Sequence, residues 1–195
     1  STLLASSAAS DVYKRQVIDP FCGSGTLLIE AGLKALNIAP GLNRSFAAER
    51  LGFIPDKTWR TAREEAVNAI KRDAEFRAYG YDSDGECVSL TISNAKKASP
   101  LMKISAEKRD IRDFVKPEGA FKMITNPPYG ERIMEKQQAE ELYRGFGRAW
   151  LASENWQLYL LSSHTEFERC FGKQADKKRK LYNGMIKCDL FMYFK

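Results

Sequence analysis

The sequence predicts an α/β fold, in which helices cover a seven-stranded, mostly parallel sheet that ends in a C-terminal antiparallel hairpin. Short apolar runs alternate with segments of helical periodicity, which is typical of parallel strands joined by crossover helices. Two of these runs lead directly into turns rich in glycine or proline, as strands do where they leave a sheet. Near the C-terminus, Asn183-Gly184 separates two β-rich segments, and this dipeptide favours a hairpin.

The composition fits one globular domain with a substantial core. The chain has 195 residues, of which 44% are hydrophobic and 29% charged. No apolar run is long enough to cross a membrane. The four cysteines form no CxxC pair and there is one histidine, which argues against a zinc site and a disulfide framework and favours a reducing cytoplasm. The net charge of +6 favours a polyanionic partner, although an ordinary basic surface explains it equally well.

Residues 1–16 differ from the rest of the chain. They lack the basic start and apolar core of a signal peptide, and the sequence has no initiator Met. Their last six residues, Asp-Val-Tyr-Lys-Arg-Gln, resemble translated sequencing-adaptor read-through. We therefore expect a non-native or disordered leader over residues 1–16 and a folded domain over residues 17–195.

The first strand is predicted at Val17–Asp19, followed by a glycine turn over residues 20–26 and a helix over residues 27–36. Strand, glycine turn and helix open a nucleotide-binding unit, in which the backbone approaches a ligand at the helix N-terminus. The third glycine of the dinucleotide pattern is missing, and an acid at Asp19 is unsuited to a pyrophosphate. It suits a ligand that carries an ammonium and a sulfonium.

Residues 37–60 are more than a minimal α/β fold needs, so we expect an insertion there. Its cations and aromatic residues, among them Arg44 and Trp59, are of the kind that stacks on and neutralises a single-stranded nucleic acid. An ordinary packed loop is the favoured alternative. A helix is predicted next, over residues 60–76.

The second strand is predicted at Arg77–Asp82 and the third at residues 103–109, with a helix between them. An acid at the end of the second strand is placed to accept hydrogen bonds from both ribose hydroxyls of a nucleoside, which assigns Asp82 to a ligand. The neighbouring Ser83 or Asp84 has the alternative role of capping the next helix, and the two roles are compatible.

The apolar run Phe121–Ile124 predicts a buried strand that stops at Asn126-Pro127-Pro128. Because proline cannot donate to a sheet ladder, this turn must lie at the carboxyl edge of the sheet, where open α/β sheets bind ligands. The turn presents the amide oxygen of Asn126, a proline carbonyl and the ring of Tyr129. Two acceptors beside a flat ring suit the exocyclic amine of a planar base, whose developing positive charge they would stabilise. A rigid turn that only ends a strand is the alternative.

The remaining elements follow in order. We predict a helix with apolar residues from Ala139 to Trp150, a fifth strand at Trp156–Leu161, a short helix at Glu166–Phe171 and the closing hairpin over residues 181–194. His164 is expected to be a loop residue. The basic run over residues 173–180 suits phosphate contacts or a solvated face equally.

Residues 19–26, Asp-Pro-Phe-Cys-Gly-Ser-Gly-Thr, resemble motif I of class I S-adenosylmethionine-dependent methyltransferases. Residues 126–129, Asn-Pro-Pro-Tyr, resemble the signature of amino-group methyltransferases. Together with Ala-Pro-Gly-Leu at residues 39–42, Gly-Tyr-Asp-Ser-Asp at 80–84 and Leu-Tyr-Asn-Gly at 181–184, they make residues 17–195 similar to the catalytic domain of the THUMP-associated RNA guanine-N2 methyltransferases, of the large-subunit ribosomal RNA methyltransferase L type.

The resemblance implies a Rossmann-like fold and transfer of a methyl group from S-adenosylmethionine to guanine N2 in 23S ribosomal RNA, with no metal. Usually a THUMP RNA-binding domain precedes the first strand. Adenine N6, a protein glutamine, or a non-catalytic RNA-binding module remain alternatives. The implied cofactor residues are Asp19, Phe21, Gly23, Ser24, Gly25, Asp82, Ser83, Asp110, Ile111 and Asn126. The implied catalytic residues are Asn126, Pro127, Pro128 and Tyr129.

Overall fold

The computed structural model describes residues 16–115, 121–129, 133–152 and 157–194. A seven-stranded sheet has the order β3-β2-β1-β4-β5-β7-β6, and β7 runs antiparallel to both of its neighbours. The predicted fold class is therefore confirmed. The strands are β1 Gln16–Asp19, β2 Arg77–Asp82, β3 Lys103–Lys108, β4 Phe121–Thr125, β5 Gln157–Ser162, β6 Lys177–Asn183 and β7 Ile186–Phe194.

Helices cover both faces of this sheet. They are α1 Thr26–Ala35, α2 Asp56–Asn68, α3 Gly85–Ala98, α4 Ile133–Leu151 and α5 Phe167–Phe171, with 3-10 helices at Ala47–Leu51 and Ile111–Asp113. Neighbouring residues of β1 belong to different cores, because successive side chains point to opposite faces of a strand. Val17 packs with α1 and Met102, whereas Ile18 packs with the aromatic core of α4 and α5. Within the described ranges, no helix combines the length and apolarity that crossing a membrane requires.

The predicted helix over residues 60–76 is wrong at both ends. Helix α2 begins at Asp56, directly after Pro55, whose fixed φ suits a helix start. It ends at Asn68, and the amide of Lys71 then donates to the carbonyl of Leu36. The apolar residues after Asn68 pack against the core around α1 without being helical, so their spacing imitated a helix.

Several strand boundaries also differ from the prediction, most of them by one residue. β1 begins at Gln16, which pairs with Arg77 and Phe121, one residue before the predicted start at Val17. Residues 1–15 and Trp156 lie outside the described residues. β6 begins at Lys177 and therefore includes half of the basic run. This strand was cut short in the prediction because both of its faces are exposed at the sheet edge, which leaves no alternating apolar pattern to read.

The insertion packs largely on itself. The guanidinium of Arg44 lies 4.9 Å from the ring centroid of Phe46, and Phe46 stacks on Trp59 at 6.0 Å. Arg63 of α2 donates to Glu49 at 2.6 Å. These contacts favour the packed-loop interpretation over a nucleic-acid platform. Because α1 starts at the carboxyl edge of the sheet and runs back, the insertion leaves from the opposite edge.

Substituting Gly147 of α4 tests the packing of α4 against α5. A Cβ at Gly147 would lie 1.9 Å from the carbonyl oxygen of Phe171. Because this oxygen belongs to the backbone of α5, it cannot easily move away. We expect Gly147→Ala to lower the free energy of unfolding by about 1–3 kcal/mol, measured by chemical denaturation. Gly145→Ala is the matched control, because its Cβ would meet only the flexible side chain of Arg112, at 3.2 Å. Equal stability of the two variants would contradict this packing.

Candidate active site

The glycine turn between β1 and α1 packs against α3 at Gly25 and is open at Gly23. Gly23 and Gly25 have φ of 52° and 82°, values that favour glycine. A Cβ at Gly25 would lie 2.9 Å from the Thr91 side chain, whereas a Cβ at Gly23 would meet nothing within 4 Å. The amide of Cys22 donates to the carbonyl of Tyr81 at 2.9 Å, which ties the turn to β2. The turn therefore leaves open space beside the Cα of Gly23, where a ligand could approach the backbone.

Helix α3 supports this turn through two side chains that sequence reasoning missed. The Thr91 hydroxyl donates to the carbonyl of Gly23 at 2.9 Å, and the Asn94 amide donates to the carbonyl of Ser24 at 3.0 Å. The Ser24 hydroxyl lies 3.0 Å from that of Thr26. Residues three apart share one helix face. The polar pair Thr91 and Asn94, on the face that points toward the sheet, was the signal that could have predicted these contacts.

Asp82 bridges the turns after β1 and β2. Its Oδ2 accepts from the amide of Gly23 at 3.0 Å, and its Oδ1 accepts from the amide of Asp84 at 3.0 Å. Each carboxylate oxygen can still accept a further hydrogen bond. Asp84 caps α3 by accepting from the amide of Glu86 at 2.9 Å, and Ser83 is exposed. The capping role thus belongs to Asp84, which leaves Asp82 at the open edge.

Asp110 follows β3 at the same edge and is bound by a neighbour. Its carboxylate accepts from the Nε of Arg112 at 2.8 Å, from its Nη2 at 2.6 Å and from its amide at 2.9 Å. These hydrogen bonds lower the pKa of Asp110 to about 2, so the group is ionised at neutral pH. Ile111 beside it is buried. The sequence placed Asp110 at this edge by its order along the chain. It did not predict that Arg112 would donate three hydrogen bonds to the Asp110 carboxylate.

Asp19 lies beneath the glycine turn. It is 1% exposed, and its Oδ1 accepts from the Thr125 hydroxyl at 2.6 Å and from the amide of Phe21 at 3.1 Å. Burial raises the pKa of Asp19 to about 6, while the hydrogen bonds from Thr125 and Phe21 act in the opposite direction. The ring of Phe21 packs edge-on against Phe146 at 5.8 Å. Since Thr125 directly precedes Asn126, the bond from Thr125 to Asp19 joins the two turns that the sequence singled out.

Buried Tyr143 of α4 anchors the proline corner. Its hydroxyl donates to the carbonyl of Pro128 at 2.7 Å and lies 3.3 Å from the Ser162 hydroxyl. Burial raises the pKa of Tyr143 to about 12, which keeps this hydroxyl protonated as a donor. Pro127 is buried, and no donor among the described residues reaches its carbonyl oxygen. Within the described ranges, that carbonyl is therefore free to accept a hydrogen bond.

Asn126 is exposed, but its amide oxygen is covered by a hydroxyl. The Tyr129 hydroxyl donates to the Oδ1 of Asn126 and accepts from the Nδ2 of Asn183 at 3.4 Å. Burial raises the pKa of Tyr129, so the hydroxyl remains a donor at neutral pH. This hydrogen bond occupies one of the two lone pairs of the Asn126 oxygen. Sequence reasoning assigned Asn183 only to the hairpin and missed this contact.

The predicted residues thus line one edge of the sheet, in the strand order β3, β2, β1, β4. From Asp110 to Asn126 this edge spans three strand spacings, or about 14 Å. All four cysteines are free thiols. The ranges that the structure describes contain no group of three or more His, Cys, Asp and Glu side chains arranged to hold a metal ion. The arrangement suits an elongated ligand that lies along the edge and ends beside Asn126.

Comparison with known proteins identifies relatives of this arrangement. Over residues 4–191 the chain matches the family described as UPF0020, RMKL-like, methyltransferase domain. It is 38% identical over 180 residues to "Putative RNA methyltransferase YpsC" of Bacillus subtilis, covering 92% of this chain and 47% of that protein. It is 37% identical over 183 residues to "Ribosomal RNA large subunit methyltransferase K/L" of Shewanella sp. strain MR-4, covering 91% of this chain and 26% of that protein.

A solved structure agrees with these relatives. "SMU.472, a putative methyltransferase complexed with SAH" superposes with a TM-score of 0.84 at 36% identity, over 92% of this chain and 48% of that one. The chain therefore spans about half of one relative and about a quarter of the other.

Replacing Thr125 by Val tests the link between the two turns. The variant keeps the side-chain shape but leaves a buried carboxylate without its hydroxyl donor, so we expect a loss of about 1–3 kcal/mol in the free energy of unfolding at pH 8. The loss should shrink below pH 5, where Asp19, with its raised folded pKa, is protonated in the native state. Denaturation curves at the two pH values measure it. Thr58→Val, at an exposed site on α2, is the control, and a loss that does not depend on pH would contradict this role of Asp19.

Proposed function

We propose that this chain, which belongs to the UPF0020 family of RMKL-like methyltransferase domains, transfers a methyl group from S-adenosylmethionine to the exocyclic N2 amine of a guanine in 23S ribosomal RNA. The observation that carries the proposal is the hydrogen bond of 2.6 Å between Thr125 and Asp19, because it sets the glycine turn beside the Asn126 corner. The names of the K/L relatives support ribosomal RNA as the substrate class. The resemblance of Asn-Pro-Pro-Tyr to amino-group methyltransferases supports an exocyclic amine.

The cofactor would lie along the edge from β3 to β1. A relative binds SAH, which is S-adenosylmethionine without the transferred methyl group, and this supports the choice of cofactor. In the proposed arrangement the backbone of Gly23, Ser24 and Gly25 approaches the methionine part, and Asp82, with Ser83 beside it, accepts from the ribose hydroxyls. Asp110 and Ile111 receive the adenine. Asp19 and Phe21 hold the turn from below, where a buried carboxylate favours a sulfonium and an ammonium above it.

The acceptor base would enter at the end of β4. The Oδ1 of Asn126 and the carbonyl of Pro127 would accept hydrogen bonds from the two amine hydrogens, so the nitrogen can become tetrahedral while its positive charge develops. As the N–CH3 bond forms, the S–CH3 bond of the cofactor would break and S-adenosylhomocysteine would leave as a neutral thioether. The methylated nitrogen would then lose one proton to water. The Tyr129 hydroxyl leaves Asn126 as the base arrives, and its ring then holds the base face. Pro128 holds the corner in place through Tyr143. Because a stacked guanine cannot reach this corner, the base must be flipped out of its helix. Positioning of amine and methyl in line supplies the rest of the rate gain.

Adenine N6 presents the same pair of hydrogens, so the acceptor geometry alone does not separate the two bases. Mass spectrometry of nucleosides after incubation with ribosomal RNA decides between N2-methylguanosine and N6-methyladenosine. Absence of any methylated nucleoside, together with calorimetry that detects no binding of S-adenosylmethionine, would favour a non-catalytic RNA-binding module instead.

The partners and location follow from the same proposal. We propose that the chain acts on large-subunit ribosomal RNA in the cytoplasm. By resemblance, a THUMP domain shares in RNA capture in the full-length protein. The curated relatives leave room for further domains, since the chain covers 47% and 26% of their lengths.

Asn126→Ala tests the acceptor site. Loss of one preorganised acceptor should lower kcat about 10²–10³-fold, because the developing positive charge loses a partner. The dissociation constant for S-adenosylmethionine should stay within a few fold, since Asn126 lies at the substrate end of the edge. Methyl transfer to ribosomal RNA and calorimetry measure the two quantities. Asn43→Ala, at an exposed site in the insertion, serves as the control, and wild-type turnover in Asn126→Ala would remove the proposed role.

The pH dependence of cofactor binding tests Asp19. Below about pH 6 its carboxyl is largely protonated in the free protein, and a bound cation lowers its pKa, so binding releases a proton. Affinity for S-adenosylmethionine should therefore rise between pH 5 and pH 7 and level off above. Calorimetry in two buffers of different ionisation enthalpy measures the proton release. In Asp19→Asn the rise should disappear, and its persistence there would assign the effect to another group.

A further inference from the structure

The last two strands project beyond the rest of the sheet at the acceptor site. The final residue of β5, Ser162, pairs with Asp189 of β7, so residues 186–188 pair only with β6. Three residues of strand extend about 10 Å. They extend at the carboxyl edge of β4 and β5, and Asn183 lies within hydrogen-bond distance of Tyr129 there. We call residues 181–188 the hairpin tip.

The hairpin tip exposes apolar side chains. Met185 is 98% and Tyr182 73% exposed, and Leu181 and Ile186 stand beside them at 37% each. Charged side chains on an edge strand protect it against pairing with other chains. Exposed apolar side chains promote such pairing, so protection of the edge does not explain them. A cluster of exposed apolar residues next to a catalytic edge marks an interaction surface.

Positive charge surrounds the hairpin tip. Lys178 is bound to Glu168 at 2.6 Å. The other cations form no ion pair within the part of the chain that the structure describes; they are Lys177, Arg179, Lys180 and Lys187. The charge at this surface is therefore available to an anionic partner.

The two faces of the hairpin tip carry different side chains. Directly paired residues of antiparallel strands share a face, so Asn183 lies with Ile186 on the face that contacts Tyr129. The opposite face carries Tyr182 with its partner Lys187. Lys180, two residues before Tyr182 on β6, lies on the same face and is paired with Asp189. An exposed ring between two lysines is the combination that binds single-stranded nucleic acid, through base stacking and phosphate contacts.

We propose that the hairpin tip binds the single-stranded RNA next to the flipped base, a proposal that rests on the function proposed above. Tyr182 stacks on the base that neighbours the target, and Met185 packs against the bases left exposed when the target leaves its stack. Lys180 and Lys187 contact the adjacent phosphates. The opposite face meanwhile positions Tyr129 through Asn183, so one hairpin holds both the RNA strand and the wall of the acceptor site.

The double variant Tyr182→Ala with Met185→Ala tests the stacking surface in the full chain. Its KM for protein-free large-subunit ribosomal RNA should rise about tenfold, as expected when one base is no longer stacked. Its dissociation constant for S-adenosylmethionine and its melting temperature should match the wild type. The matched control is Leu51→Ala with Phe53→Ala, which removes two residues that are 61% and 85% exposed in the insertion. A hairpin variant that behaves like this control overturns the proposal.

A second variant, Lys180→Gln with Lys187→Gln, tests the phosphate contacts by the salt dependence of binding to the same RNA. The slope of log K against log salt should become shallower by about 0.7 for each phosphate that the variant no longer neutralises. Lys96→Gln with Lys97→Gln, in the exposed last turn of α3, is the control at the opposite edge. An unchanged slope overturns the proposal. A lower melting temperature with unchanged RNA binding also overturns it, because the two lysines would then stabilise the fold and would not contact RNA.

The wild-type protein separates failure of this proposal from failure of the proposed function. Wild-type methylation with normal RNA binding by both hairpin variants overturns the hairpin proposal alone. If the wild type methylates no RNA, the proposed function fails, and direct binding of the same RNA, followed by fluorescence anisotropy, still decides whether the hairpin tip contacts it.

Discussion

The structure depends on one buried contact, the hydrogen bond from Thr125 to Asp19. These residues end β4 and β1, which are parallel neighbours, so the two turns that follow them emerge side by side. A buried carboxylate without a donor is costly, and the Thr125 hydroxyl and the amide of Phe21 reduce that cost here. The contact therefore fixes the distance between the glycine turn and the Asn126 corner, which would carry the cofactor and the base in the proposed function.

The proline corner, residues 126–129, is also held by the helices on one face of the sheet. Two prolines restrict its backbone, and the buried Tyr143 hydroxyl fastens it to α4. The same helix packs into an aromatic core with α5 and β7, so the corner rests on the larger of the two buried clusters among the described residues. The Tyr129 hydroxyl donates to the Asn126 oxygen, which in the proposed function accepts a hydrogen bond from the substrate amine. The corner thus combines a restricted backbone with a tyrosine hydroxyl that lies over the Asn126 oxygen.

The fold was largely predictable because strands buried on both faces and turns of glycine or proline have local signals. The failures have local causes too. Residues after Asn68 keep a helical spacing of apolar side chains, but they pack as a turn against the core around α1. The first half of β6 carries no apolar alternation, since an edge strand exposed on both faces has nothing to bury. In both places the tertiary environment, which periodicity does not encode, decided the backbone.

The sequence by itself determined the order of the turns along the chain, and with it the positions of Asp19, Gly23, Asp82 and Asn126 at one edge. It could do so because proline and glycine restrict or permit backbone angles wherever they occur. Only the tertiary structure decided the partners of these side chains: Thr125 on Asp19, Thr91 and Asn94 behind the glycine turn, and Asn183 beside Tyr129. Hydrogen bonds between residues as far apart as Asp19 and Thr125 exist only after the strands are ordered in the sheet, and that order follows from packing of the whole chain.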